Sequence, residues 1–189
     1  MRVLPAILCV LALAACREEA KAPEPVRMTQ DAIGHFCQMN LLEHPGPKAQ
    51  VHLEGLPGMP LFFSQVRDAI AYQRMPEQSH AITAIYVQDV GTVPSWDAPG
   101  QDHWIAAEEA YYVLGSDRTG GMGAPETVPF AEEAAARDYI AAHGGEVLRL
   151  AQIPDQAVLA PVADGLLSRA EDDADFSDRL RKLSNERKN

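Results

Sequence analysis

Cys37 and Met39 stand two residues apart in Phe36-Cys37-Gln38-Met39-Asn40, with His35 just ahead of them. In a turn, that spacing lets a thiolate and a thioether face one point. Both are soft donors, and among biological metals such a pair selects Cu(I). A third sulfur, Met122, lies in Thr119-Gly120-Gly121-Met122-Gly123-Ala124-Pro125. Three glycines around one methionine fit a mobile loop that closes a thioether over a metal and opens again. The alternative is an exposed methionine whose glycines serve only the turn. His35 is expected either to supply a nitrogen ligand or to stand behind one. His44, His52, His80, His103 and His143 show no paired helical or zinc-finger spacing, so a histidine-rich zinc or Cu(II) site has little support. Met28 falls in a tether, and Met59 and Met75 are expected to pack at a strand start and a helix end.

A cysteine beside a histidine also raises nucleophilic catalysis. No third member of a catalytic set is fixed by the sequence, so the chain is read as a non-enzyme. There is no Walker or dinucleotide fingerprint, and the run Gly120-Gly121-Met122-Gly123 lacks the lysine that would meet a phosphate. The formal net charge of −11 disfavours nucleic acid.

The two other cysteines have different fates. Residues 1–15 read as a signal segment, with Arg2 followed by the apolar run from Val3 to Ala15. That run is shorter than the roughly 20 residues needed to span a bilayer and fits a secretory h-region. It ends in Leu13-Ala14-Ala15-Cys16, the pattern of a bacterial lipoprotein signal. Cleavage before Cys16 would place lipid on its thiol and new amine, and two or more acyl chains give lasting anchorage. Cys9 is then lost, Cys16 is consumed, and Cys37 remains alone, with no intramolecular disulfide available to it. Arg17 follows Cys16 in place of the aspartate that favours inner-membrane retention, which tilts sorting toward the outer membrane. Residues 16–30 form a charged, proline-containing tether expected to be disordered. Residues 154–189 are expected to be a tail, mobile over 164–189.

Between these ends the same order of elements occurs twice, giving an α+β fold of two small ββαβ units. The first unit, 31–91, holds strands at Gln50–Glu54, Met59–Phe63 and Ala81–Val90. Its helix runs from Gln65 to Arg74, capped by Ser64 and stopped by Pro76. The second unit, 104–153, holds strands at Glu109–Leu114, Glu126–Phe130 and Glu146–Ile153. Its helix at Ala131–His143 is ended by Gly144-Gly145. Phe63, Ala69 and Tyr72 align without a gap on Phe130, Ala136 and Tyr139. Residues 91–103 read as the linker, pinned by Trp96 or Trp104. Each unit is too small to bury much core alone, so the two are expected to pack together, with the sulfur site between them.

With the lipoprotein signal and both sulfur stretches in hand, the chain resembles the NosL family, the copper-binding accessory lipoproteins of nitrous oxide reductase. The resemblance runs from the signal to about residue 153, through FCQMNLLEHPGPKAQ, FFSQVRDA, AIYVQDVG and YYVLGSDRTGGMGAPE. It implies a two-unit ββαβ fold and periplasmic Cu(I) binding. It further implies delivery of copper for the copper–sulfide centre of nitrous oxide reductase. The implied partners are the reductase and an inner-membrane maturation complex with an ABC transporter. The ligand-type residues map onto Cys37, Met39 and Met122, with His35 a further candidate.

Overall fold

A computed structural model of the chain describes residues 21–161. The proposed lipidation at Cys16, the signal segment and residues 162–189 of the tail lie outside the described residues. None of the helices described is long and apolar enough to cross a membrane.

The first sheet contains β1 (Ala49–Leu53), β2 (Leu61–Phe63), β3 (Ile82–Gln88) and β4 (Trp104–Ala106). Its order is β2-β1-β3-β4, antiparallel throughout. Helix α1 (Val66–Arg74) connects β2 to β3. The second sheet contains β5 (Tyr111–Leu114), β6 (Val128–Phe130) and β7 (Glu146–Arg149), in the order β6-β5-β7. Helix α2 (Glu133–His143) connects β6 to β7. In both units the first strand is central, the second pairs on one side of it, and the strand after the helix pairs on the other. The expected repeat is therefore present. The aligned aromatic pairs are in ring contact in both copies, with centroids 5.5 Å apart for Phe63–Tyr72 and 5.1 Å for Phe130–Tyr139. Ala69 and Ala136 are both fully buried where each helix meets its sheet.

Side chains alternate across each strand. Ala49, Val51 and Leu53 of β1 enter the main core with Phe63, Val66, Ile70 and Val87. Tyr112 of the second sheet joins that same core, as do Ile153 and Val158. The core is thus shared, as expected for units too small to stand alone. A separate cluster of Val113, Val128, Phe130 and Ala136 lies between the second sheet and α2.

The structure differs from the sequence reading at several places. Trp104–Ala106 pairs with β3 and belongs to the first sheet, not to the second unit. The last strand stops at Arg149. It gives way to a 3-10 turn at Leu150–Gln152 and then α3 (Asp155–Leu159), inside the supposed tail. Helix α3 is held because Arg67 and Arg74 of α1 donate to the carbonyls of Ala157, Ala160 and Ile153. Ser64 does not cap α1; Gln65 occupies the cap position and its side chain makes no capping bond.

Another difference is in the tether. Residues 23–28 lie along the outer face of the first sheet. Gln50, fully buried on that face, accepts from Val26 N at 2.8 Å and donates to Val26 O at 3.0 Å. Tyr86 donates its hydroxyl to Pro23 O at 2.6 Å. Met28 exchanges two hydrogen bonds with Gln101 and is 1% exposed, packed with Ala32 and Leu41. The methionines expected to pack do the reverse: Met59 is 62% exposed, and Met75 is exposed as well.

Replacing Gln50 with Ala should therefore release the strap. The part-buried main-chain groups of Val26 lose their partners, at a cost of about 1 kcal/mol. Urea denaturation is expected to show a lower midpoint with unchanged slope, and the Val26 amide should lose its hydrogen-exchange protection. An unchanged midpoint with Val26 still protected would contradict the strap's contribution.

Candidate metal centre

The cysteine turn is built by short-range hydrogen bonds and fixed to the sheet edge. Ile33 and Asn40 form an antiparallel bridge, Gly34 N donates to Met39 O at 3.0 Å, and Gln38 N donates to Gly34 O at 2.9 Å. Gln38 takes φ 56°, an unusual backbone for a non-glycine residue, and its amide donates to His35 O at 2.6 Å. Gly34 is required here, because a Cβ at that position would strike the Cys37 sulfur. Edge strand β2 holds the turn: Gly34 bridges Phe62, and His35 N donates to Phe62 O at 2.6 Å. Asn40 then caps the 3-10 turn at Leu41–Glu43 through Leu42 N.

Within this turn Cys37 is half-buried and Met39 is 45% exposed. The His35 ring sits in an aromatic group with Phe36, Phe63 and Tyr72, at centroid distances of 5.5 to 5.6 Å. Those contacts fix its ring beside the cysteine turn.

The methionine loop is closed by a Thr119–Pro125 bridge, by Gly120 N donating to Ala124 O at 2.8 Å, and by Gly123 N donating to Gly120 O at 2.9 Å. A Cβ at Gly121 would lie 2.8 Å from His44 Cβ and 2.9 Å from Ser64 O, and one at Gly120 would strike Glu126 and Gln65. Two of the three glycines therefore allow close approach of the loop to the first unit, and Gly123, at φ 78°, serves the turn. The loop backbone is fastened to the first unit and carries a side chain that is 46% exposed.

Both sulfur elements attach to one short segment. Phe62 holds the cysteine turn, and Gln65, three residues on, accepts from Met122 N at 3.1 Å. Three residues of extended chain span at most about 11 Å. Among the described residues no group of three or more His, Cys, Asp or Glu is placed to hold a metal ion.

The NosL family profile matches residues 25–158, most of the chain. A copper-binding lipoprotein NosL from Achromobacter cycloclastes is 57% identical over 173 residues, covering 90% of this chain and 89% of that protein. The chain belongs to the NosL family. The copper-binding lipoprotein NosL of Stutzerimonas stutzeri is 35% identical over 164 residues, covering 85% and 83% of the two chains. The crystal structure of the copper chaperone NosL from Shewanella denitrificans superposes with a TM-score of 0.63 at 29% identity. That match covers 69% of this chain and 95% of the other. The fold built from the sequence is thus the NosL fold, and none of these relatives' names denotes an enzyme.

Under the sulfur elements of this NosL chain lie two buried ionisable groups that sequence reasoning did not single out. The Lys48 ammonium is enclosed by its own loop and donates to the carbonyls of His44, Pro45 and Gly46 at 2.7, 2.9 and 2.6 Å. Burial lowers it to about 8, against the opposing attraction of Glu126 and then of Cys37. Glu126 is fully enclosed at the seam between the units. Its Oε1 accepts from Arg67 N at 3.0 Å and from Thr127 N at 2.8 Å, while Oε2 has no partner. Burial pushes this carboxyl up to about 8 despite those two donors. Nothing in the spacing of His44, Lys48, Gln65 or Glu126 marks them. Their long-range contacts lie 40 to 77 positions away in sequence, as in Lys48 N donating to Gln88 Oε1 and His44 Nδ1 meeting Gly121 O.

Glu126 gives stability a pH dependence with a definite sign. Its folded pKa lies above its unfolded value, so the folded state holds the proton more tightly. Its contribution is complete below about pH 4.5 and is lost as pH rises toward about 8, at up to ~1.4 kcal/mol per pH unit. Glu126→Gln, which keeps the shape and cannot ionise, should flatten the fall in that window. Urea denaturation of both proteins between pH 5 and 8 reads this directly, and parallel pH profiles would refute it.

Proposed function

We propose that this protein is a Cu(I) chaperone of the periplasm, anchored to a membrane through lipid on Cys16. It delivers copper for assembly of the copper–sulfide centre of nitrous oxide reductase. Cys37 supplies the thiolate, Met39 and Met122 the thioethers, and His35 stands beside them as a further donor. One observation carries the reading: the cysteine turn and the methionine loop, whose Cys37 and Met122 are 85 positions apart, are both fastened to the Phe62–Gln65 segment. Copper is the cargo, and the donor set suits its monovalent state because thiolate and thioether are soft.

The names of the relatives support copper as the metal and a lipid anchor. The family resemblance supports the reductase and its inner-membrane ABC-transporter complex as partners. Arg17 after the lipidated cysteine supports the outer membrane over the inner.

The chemistry of delivery follows from the exposures. A chaperone has to hold copper against free release and still surrender it. Here two thioethers stand near half-exposed at the surface, so an incoming donor can replace one before the thiolate lets go. Thiolate binding competes with protons, so copper affinity falls as pH falls.

Cys37→Ser is expected to abolish Cu(I) retention in a competition titration against a Cu(I) chelator. Met39→Ala and Met122→Ala should each weaken it by about tenfold or more, the loss of one soft ligand. Unchanged affinity in the serine variant would sink the assignment.

A further inference from the structure

We infer that Gln65 and His44 of the first unit are positioning residues for the Met122 thioether. They grip the main chain of the second unit's loop, so that its sulfur is held ready beside the cysteine turn. The inference rests on the reading of Met122 as a copper ligand.

Two clasps on adjacent residues carry it. Met122 N donates to Gln65 Oε1 at 3.1 Å, and His44 Nδ1 stands 3.0 Å from Gly121 O. A carbonyl only accepts, so Nδ1 of His44 carries the proton there. The same logic fixes the Gln65 amide, whose oxygen faces the Met122 N–H. Gln65 is 3% exposed and His44 9%, so both clasping side chains are themselves buried, and the bonds they make to the loop are part-buried. Both come from the unit that carries Cys37 and Met39.

The fold leaves the Gln65 side-chain oxygen free for this task. Gln65 sits at the N-cap of α1, where a polar side chain normally caps the helix main chain. It makes no such bond: Glu126 Oε1 accepts from Arg67 N in its stead, and the Gln65 amide meets the Asp68 side chain. The close approach is equally specific. A Cβ at Gly120 would lie 2.7 Å from Gln65 Oε1, and one at Gly121 would crowd His44 and Pro45 O. Closing a glycine-rich loop over an ion ordinarily carries an entropic penalty for ordering its backbone. Here the backbone is ordered beforehand, and only the methionine side chain has to move.

A double-mutant cycle separates positioning from general stability. Cu(I) affinity is measured by chelator competition for the wild type, Gln65→Leu, Met122→Ala and the double variant, with Gln65→Glu as the conservative control. Gln65→Leu is expected to weaken binding by about fivefold, the loss of one buried hydrogen bond to the loop. Gln65→Glu keeps an acceptor and should stay within about twofold of wild type. In the Met122→Ala background Gln65→Leu should have no further effect, because the sulfur it positions is gone. An equal loss in both backgrounds, or none in either, overturns the inference while leaving Met122 a ligand. If Met122→Ala alone leaves affinity unchanged, the ligand reading fails and the inference falls with it. Should Gln65→Leu fail to fold, Gly121→Ala displaces the same segment and enters the same cycle with the same expected outcomes.

Discussion

The first turn of α1 begins with main-chain N–H groups that no residue of its own helix can satisfy. Glu126, from the other unit, accepts one of them, at Arg67 N. The positive end of the helix favours that carboxylate, while full burial opposes its charge. The two demands meet at the seam between the sheets, and neither unit can meet them alone. Tyr112, which belongs to the second sheet and to the first unit's core, makes the same point in apolar terms. The repeat is therefore two copies of one topology but a single cooperative structure.

The proposed function draws on that seam, because both the cysteine turn and the methionine loop are fastened to the Phe62–Gln65 segment beside it. Lys48 sits beneath the sulfur elements, its ammonium wrapped by three carbonyls and drawn toward both Glu126 and Cys37. Above it the Met122 loop is pressed onto Ser64, Gln65 and His44. The proposed donors stay near the surface, Met39 and Met122 close to half-exposed and Cys37 half-buried. A resident cofactor would gain from deeper burial. A cargo gains from an open side through which a partner's ligands can reach it.

Much of this was legible in the sequence, for identifiable reasons. Phe and Tyr nine residues apart recur because each strand–helix unit needs the same aromatic contact, and both contacts form. The soft donor types at 37, 39 and 122 carry their chemistry in their identity. Other features could not be read. Trp104-Ile105-Ala106 is too short to show a period, and it becomes a strand only because β3 offers it an edge. The tether's charged, proline-containing composition reads as solvated, yet it docks through main-chain groups of Val26 and Met28, which composition does not report. The glycines around Met122 signalled a loop but not the close approach that two of them serve. Gly120 and Gly121 are small enough for the loop to press close to its neighbours. Ser64 looked like a cap because caps are usually local; here the cap comes from 59 positions downstream.

The central claim is that one copper ion is held by sulfur from both units. X-ray absorption at the copper edge of the Cu(I)-loaded protein counts those neighbours directly. Three sulfur scatterers are expected in the wild type, from Cys37, Met39 and Met122, and two in Met122→Ala. A sulfur count that does not change when Met122 is removed would contradict the claim.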